Sequence, residues 1–224
     1  MNILKRVLVP FFSTVDDDKL LKAYYKKILT TVLFILSPIL VILIFRAEEI
    51  VLLLLTAKWI GVVPYLQILC FGAFLLPLSE YNTNILVVKG QSRLVLKLEI
   101  YKKITTVIIF LVSIYWGIYG ILYGQVLNSI IVFLINSYYT KQFLDYSKKE
   151  QILDVVPYIL VSFAAGALSY LILDQFSRFN ISLHLAVNIF IYVVLMGLFY
   201  LLLVKALKLK AINTLSSLYK RKRK

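Results

Sequence analysis

The chain has 224 residues, of which 61% are hydrophobic and 16% are charged, with a formal net charge of +14. Soluble domains are about 45–50% apolar and about 25% charged, so this composition excludes a single water-soluble globular core. The apolar runs are also longer than the alternating strands of about ten residues that build membrane barrels. We therefore expect an all-α bundle of helices that crosses a membrane several times.

Residues 1–25 are predicted to form a polar, amphipathic lead-in, because the apolar run before "STVDDDK" is too short for a signal peptide. A membrane helix needs roughly 20 apolar residues, and on that basis the bundle at 26–205 contains about six spans. A basic tail follows at 206–224. The spans are predicted at about 26–46, 62–87, 98–116, 118–140, 155–174 and 183–205.

Two segments depart from the simple pattern of one apolar run per crossing. From Ile104 to Thr140 there is no charged residue. A helix of that length measures roughly 55 Å, against about 30 Å for one crossing, so we expect two spans joined by a tight turn at Gly117–Gly120.

Residues 48–59 form an apolar segment that is too short for one crossing. They are apolar for only about eight residues, which favours an interfacial or partly re-entrant half-helix. Pro64 and Pro77 are expected to break the second span.

The Lys and Arg residues alternate with the predicted spans. The segments expected on one side carry 6, 5, 3 and 8 of the 25 cations, and those on the other side carry 2, 0 and 1. Cytoplasmic segments of membrane proteins are rich in Lys and Arg, so both termini are predicted to be cytoplasmic and to contact the anionic inner leaflet. Trp59 and Trp116 fall on the opposite side, at the depth of an aromatic belt. This bias also explains the "KRKRK" tail without a nucleic-acid partner.

Four stretches of the sequence resemble a known family. They are "RVLVPFFSTVDDDKLLKAYYK" (6–26), "LLLLTAKWIGVVPYLQIL" (52–69), "LPLSEYNTNILVVKGQSRLVLKLEIYKK" (76–103) and "GQVLNSIIVFLINSYY" (124–139). They are similar to the later part of lipopolysaccharide and exopolysaccharide flippases of the O-antigen and colanic-acid type. Those proteins form the polysaccharide-transporter branch of the multidrug/oligosaccharidyl-lipid/polysaccharide exporter superfamily.

The resemblance implies two helical lobes around a central cavity, with this chain as one lobe or most of it. It implies that a polyprenyl-pyrophosphate-linked oligosaccharide is flipped from the cytoplasmic to the outer leaflet of the bacterial inner membrane, for surface polysaccharide synthesis. Relative to that family the chain corresponds to a C-terminal half. A truncated product or a separate N-terminal-half chain as partner is therefore expected.

Glu80 is the candidate coupling acid. It is predicted to lie within the hydrocarbon in the second span, where a carboxylate is costly and is a candidate proton or cation relay. The alternative is a neutral acid, or one paired with Arg93 or with a Lys of the adjacent loop. Asn82 and Asn84 match the family's pattern and are candidates for bonding sugar hydroxyls, with interhelical hydrogen bonding as the alternative.

A polar stripe on the fourth span gives further candidate cavity-lining residues. At about 100° per residue its members fall within an arc of about 80°. Such a stripe faces either a cavity or a neighbouring helix. The members are Gln125, Asn128, Asn136 and Tyr139.

Three cations near the start of the third span are candidate contacts for the substrate's pyrophosphate: Arg93, Lys102 and Lys103. Lysine supplies a point charge and arginine a fork of donors. The alternative for the two lysines is an ion pair with Glu99, three and four residues earlier on the same helix.

No motif of an enzyme, a nucleotide site or a metal site is present in the sequence, so we expect a transporter without cofactor or metal. Flipping of the lipid-linked oligosaccharide is the expected function. A drug/cation antiporter of the same superfamily is one alternative. A membrane-embedded polysaccharide polymerase is another, although it would need larger outer loops, and a non-transporting fragment is the last.

Overall fold

A computed structural model describes Phe12, Val15 and residues 17–178 and 184–209. Every regular element in this part of the chain is a helix, which confirms the all-α prediction. The α-helices are α1 Asp18–Phe45, α2 Ala47–Leu54, α3 Val63–Ala73, α4 Leu76–Val88, α5 Ser92–Ser113, α6 Gly117–Leu144, α7 Lys148–Arg178 and α8 Leu185–Ala206. Two 3-10 helices cover Ala57–Val62 and Ile114–Trp116.

Five segments of the described chain are long and apolar enough to cross a membrane: Asp18–Phe45, Ala57–Val88, Ser92–Leu144, Lys148–Gln175 and Leu185–Ala206. The third contains both α5 and α6 and turns back on itself, so it supplies two crossings. The chain is therefore a multi-pass membrane protein. Most of the predicted lead-in and residues 210–224 of the predicted basic tail lie outside the described residues.

The turn between α5 and α6 explains how the long uncharged run crosses twice. The 3-10 helix Ile114–Trp116 is followed by Gly117 at φ 65°, a conformation that glycine adopts without strain. A Cβ on Gly120 would lie 2.3 Å from the carbonyl oxygen of Ser113, so α5 and α6 approach closely at this point. The predicted tight turn exists. It is centred at 114–117, slightly before the predicted position.

The second predicted span is broken, as its two prolines suggested. The predicted span, at about 62–87, falls within the apolar segment Ala57–Val88, which consists of the 3-10 helix Ala57–Val62, then α3 and α4, with a turn at Phe74–Leu75. Pro77 lies in the first turn of α4. Backbone N–H groups at this position have no acceptor within the helix, so the N–H that proline lacks costs no hydrogen bond.

The predicted half-helix is α2, which has only eight residues and is too short to cross a bilayer. Thr56, which follows it, has φ 133° and ψ 167°. That region of backbone conformation is populated almost only by glycine, so the turn is strained. Exposed apolar side chains surround the turn, including Leu54 at 73% and Trp59 at 52%.

The chain forms two compact units that alternate along the sequence. Unit one contains the described residues up to Leu29 together with Phe71–Asp154. Unit two contains Thr30–Cys70 together with the described residues from Val155 onwards. Unit one therefore holds the start of α1, the last residues of α3, all of α4 to α6, and the start of α7.

Polar side chains join the apolar helices of unit two. The hydroxyl of Tyr200 donates to the carbonyl oxygen of Phe34 at 2.9 Å, and Ser162 donates to Ser37 at 2.8 Å. Because helices in lipid gain little from apolar contact alone, such hydrogen bonds contribute to their association. They hold α8 and α7 against α1 within this unit.

Candidate functional site

A buried amide network lies in unit one, centred on Asn82 of α4. The Oδ1 of Asn82 accepts a hydrogen bond from the Tyr25 hydroxyl at 2.9 Å. Its Nδ2 donates to Ser137 Oγ at 3.2 Å and to Gln151 Oε1 at 2.9 Å. All four side chains have 0% exposure. The network therefore links α1, α4, α6 and α7 through one amide.

The hydrogen-bonding capacity of the Asn82 side chain is largely used within this network. Ser137 also donates to Gln151 Oε1 at 3.1 Å, and Gln151 Nε2 donates to the carbonyl oxygen of Tyr146 at 3.1 Å. Asn82 thus makes interhelical hydrogen bonds in this structure, the second of the two interpretations drawn from the sequence. A sugar hydroxyl could reach it only by displacing a partner.

An ion-pair cluster adjoins the amide network. Lys22 lies 3.1 Å from a carboxylate oxygen of Glu150, and Lys26 lies 3.2 Å from one of Asp154. The ammonium of Lys26 is 5.0 Å from the ring centroid of Tyr146, a cation–π distance. The four charged side chains are between 23% and 41% exposed, so each pair contributes at most about 1 kcal/mol.

Tyr146, in the loop between α6 and α7, connects the two groups. Its hydroxyl donates to Asp154 at 2.7 Å, and its ring packs edge-on against Tyr25 with the centroids 5.6 Å apart. Burial raises the pKa of Tyr146 well above its usual value, and the hydrogen bond to Asp154 raises it further. The phenol therefore stays protonated at physiological pH and remains a donor.

Two buried amide oxygens in unit one have no hydrogen-bond partner among the described residues. Asn136 on α6 donates to the carbonyl oxygen of Ser79 at 3.0 Å, but its Oδ1 is unpaired. The Oδ1 of Asn84 on α4 is also unpaired. These side chains are only 1% and 3% exposed. An unsatisfied buried acceptor costs about 1–3 kcal/mol. A hydrogen bond from an incoming hydroxyl or water is therefore more favourable at these two oxygens than at an oxygen that already has a partner.

The predicted polar stripe on α6 does not lie in one environment. Gln125 is exposed, Asn128 and Tyr139 are half-buried, and Asn136 is buried. The buried side of α6 is centred about 100° away from the centre of the stripe, on residues of which several are small. These are Ser129, Phe133, Ser137, Thr140 and Leu144.

Asn128 is held by the neighbouring helix of the hairpin. Its Oδ1 accepts from the Thr106 hydroxyl of α5 at 3.2 Å. Gln125 and Asn128 lie beside a cavity of about 190 Å³ between α5 and α6, whose other walls are mostly apolar. The stripe therefore combines interhelical contact with the edge of a small cavity.

Glu80 lies on the exposed side of α4, whereas Pro77, Leu78, Ser79 and every residue from Tyr81 to Leu86 are buried. Leu76, 53% exposed, lies one turn away on the same side. A carboxylate on an apolar spanning segment is thus accessible from outside the unit's core.

The candidate pyrophosphate contacts differ in their surroundings. Lys102 pairs with Glu99 on α5, as the ion-pair alternative describes. Arg93 and Lys103 have exposed side chains. The structure brings no two of these three cations together in a described contact, and a role in binding phosphate stays a prediction.

Arg46, one of the two cations between the first two long apolar runs, is almost fully buried in unit two. Its guanidinium carbon is 4.5 Å from the ring centroid of Tyr192 and 5.5 Å from that of Tyr170. One of its terminal nitrogens bonds to Glu49, and its Nε has no partner among the described residues. Because Arg46 lies at the end of an apolar run, nothing in the sequence indicates that its side chain is buried.

Several members of the amide network were also missed from the sequence. Ser137 is a small residue in an apolar run, and Gln151 follows a charged loop, so neither forms a pattern. Tyr25 lies in a segment assigned to the lead-in. Only their meeting around Asn82 makes them recognisable.

Part of the chain is similar to a known protein family. The profile of a family described as polysaccharide biosynthesis protein matches residues 1–64. No curated protein and no solved structure matches the chain. The matched region includes α1 and α2. The match is compatible with a polysaccharide-related function in a membrane.

Proposed function

We propose that the chain takes part in flipping a polyprenyl-pyrophosphate-linked oligosaccharide across the bacterial cytoplasmic membrane, for synthesis of a surface polysaccharide. The observation that carries the proposal is the polysaccharide biosynthesis match over residues 1–64 in a chain whose helices are long enough to span a membrane. The matched region includes Tyr25 of the amide network and Lys22 and Lys26 of the ion-pair cluster. All three residues belong to α1, so the family match covers a helix that takes part in both groups.

The residues take separate parts in this proposal. The unpaired amide oxygens of Asn84 and Asn136 accept hydrogen bonds from sugar hydroxyls. The hydroxyls supply the donors that these buried oxygens lack, which removes the cost of an unsatisfied acceptor. Arg93 and Lys103 attract the pyrophosphate at the cytoplasmic face. Glu80 couples movement to an ion gradient by gaining and losing a proton or cation.

The resemblance to two-lobe flippases adds a partner to the proposal. Transport by alternating access places the substrate between two repeats that rock against each other. We therefore expect a second helical lobe to work with the helices described here. The lipid tail stays in the bilayer while the head group passes between the lobes.

Complementation tests the proposal directly. The chain is expressed in a strain lacking its own oligosaccharide flippase, alone and together with a first-lobe chain, and surface polysaccharide is measured. We expect restoration with the partner lobe. Absence of restoration in both cases, at normal membrane levels of the chain, would remove the flippase proposal.

A paired set of variants tests the assigned residues. Combined Arg93→Gln and Lys103→Gln substitution should lower flipping of a fluorescent polyprenyl-pyrophosphate oligosaccharide in proteoliposomes. Combined Lys148→Gln and Lys149→Gln substitution, at two other exposed cations, serves as the control and should leave it unchanged. Equal effects of both changes would show general charge dependence and not a phosphate contact.

The exposed position of Glu80 on a spanning segment favours one second candidate, a drug/cation antiporter. In that case Glu80→Gln abolishes efflux of small organic cations driven by a pH gradient. For the flippase, the same variant slows oligosaccharide movement and leaves cation resistance of the cells unchanged.

A further inference from the structure

Two long helices carry a proline in their interior, Pro38 in α1 and Pro157 in α7, and both prolines belong to unit two. Proline has no backbone N–H, so it cannot donate to the carbonyl oxygen four residues earlier in the helix. In α1 that oxygen belongs to Phe34. Within a membrane such an oxygen needs a donor from another part of the protein, because no water is available to supply one.

The missing donor for Phe34 comes from another helix. The hydroxyl of Tyr200 on α8 donates to the Phe34 carbonyl oxygen at 2.9 Å, and the rings of the two residues are 5.3 Å apart. Tyr200 is buried. A side-chain hydroxyl can turn away from its acceptor by rotation about its own bonds. The hydrogen bond from Tyr200 can therefore open while the helices on either side of Pro38 stay formed.

The two prolines lie beside each other in the bundle. The hydroxyl of Ser37, the residue before Pro38, lies 3.3 Å from the carbonyl oxygen of Tyr158. Tyr158 in turn directly follows Pro157. The Ser162 hydroxyl lies 2.8 Å both from Ser37 Oγ and from the same carbonyl oxygen, and both serines are fully buried. A bend at one proline therefore displaces the hydrogen-bond partner of the residue next to the other.

Beyond the prolines, the helices of unit two pack closely. A Cβ on Gly166 of α7 would lie 2.7 Å from Cγ1 of Val41 and 3.4 Å from Cδ2 of Phe45, both in α1. The Tyr192 hydroxyl of α8 donates to the carbonyl oxygen of Gly166 at 3.1 Å. These contacts hold the three helices together at this level. Bending is therefore easiest at the prolines, where the backbone lacks a hydrogen bond.

We propose that Pro38 and Pro157 form a paired hinge at which α1 and α7 bend together, and that the Tyr200 hydroxyl holds this hinge in the conformation seen here. When the bond to Phe34 opens, the end of α1 that follows Pro38 can change its angle. Hinges of this kind absorb a change of shape in a few residues while the packed segments on either side stay rigid. The hinge lies within unit two and does not depend on which substrate the chain moves.

Hydrogen–deuterium exchange of the purified chain in detergent, followed by mass spectrometry, tests the proposal. The amides of residues 39–41 exchange when α1 opens next to Pro38. Tyr200→Phe keeps the ring and removes the hydroxyl. It should speed this exchange about three- to tenfold, the range expected for the loss of one hydrogen bond.

Tyr192→Phe is the matched control for this variant. It also removes one hydroxyl from α8, and the acceptor of that hydroxyl is the Gly166 carbonyl oxygen. Gly166 lies in an uninterrupted part of α7, where its carbonyl oxygen has a helical donor as well. Tyr192→Phe should therefore leave exchange at residues 39–41 unchanged.

Substitution of the prolines separates a hinge from ordinary packing. Pro38→Ala gives Phe34 a backbone donor, so exchange at residues 39–41 should slow, and adding Tyr200→Phe should then have no further effect. Pro157→Ala, in the other helix, should slow exchange at residues 39–41 as well, because the two helices bend together. Circular dichroism checks that each variant is folded.

Three results would overturn the proposal. Unchanged exchange in Tyr200→Phe would show that its hydroxyl does not hold the hinge. The same acceleration with and without Pro38 would show that Tyr200 acts through packing alone. An effect of Pro157→Ala that is confined to α7 would show that the two prolines act separately.

Discussion

Asn82 and Asn84 lie two residues apart on α4 and are both buried, yet their amides have opposite surroundings. Asn82 bonds to three side chains on three other helices, whereas the Oδ1 of Asn84 has no partner among the described residues. Replacing a buried polar group destabilises a protein mainly when it leaves its former partners unpaired. The pair therefore offers a matched comparison within one helix.

Asn82→Leu should lower the stability of the protein in detergent by about 2 kcal/mol, because it removes three interhelical hydrogen bonds of modest individual strength. Asn84→Leu should leave stability unchanged or raise it. Thermal unfolding followed by circular dichroism measures both. Equal shifts for the two variants would contradict the assignment of the network.

Thr56 is a second residue whose conformation makes a prediction. Its backbone, at φ 133° and ψ 167°, is in a region that carries a strain of about 1–3 kcal/mol for residues other than glycine. Thr56→Gly should therefore raise the unfolding temperature. Ala57→Gly, in the adjacent 3-10 helix, is the control and should lower it or have no effect. If both changes destabilise, the strain is not present in solution.

The α5–α6 hairpin makes a prediction at the scale of elements. A methyl group on Gly120 meets the backbone oxygen of Ser113, which cannot move aside as a side chain can. Gly120→Ala should destabilise the protein by forcing the two helices apart. Gly197→Ala on α8, where no atom beyond the neighbouring residues and backbone of the same helix lies within 4 Å of the added carbon, should have no effect or stabilise by up to about 1 kcal/mol. Thermal unfolding of the two variants would separate steric contact from helix propensity, and equal behaviour would contradict close packing of the hairpin.

The elements show what could be predicted from the sequence. Hydropathy located the long apolar helices, and the turn expected within residues 104–140 does separate two helices. Two helices extend beyond the predicted spans: α1 begins at Asp18 and α7 at Lys148, because each starts with charged turns that hydropathy leaves out of a span. The partners of Asn82 could not be predicted, since they depend on which helix faces pack together. The burial of Arg46 depends in the same way on two tyrosines from distant helices.

At the scale of the whole molecule, the distribution of cations predicts the orientation in the membrane. Alternate connecting segments carry nearly all Lys and Arg residues, which places Lys97 in the cytoplasm and Lys58 outside. In a Cys70→Ser background, an impermeant maleimide added to intact cells should label Lys58→Cys and leave Lys97→Cys unlabelled. Both side chains are exposed, so access is comparable. Labelling of both from the outside would refute the six-span topology with cytoplasmic termini.

The amide network also sets a condition on how the protein is made. Asn82 enters the membrane with α4, but Ser137 and Gln151 belong to α6 and α7 and are synthesised much later. Until those helices insert, its Nδ2 has neither of these acceptors in a medium where an unsatisfied polar group is costly. Early intermediates must therefore keep α4 near water or near other polar groups, and unit one closes only when the ribosome has passed α7.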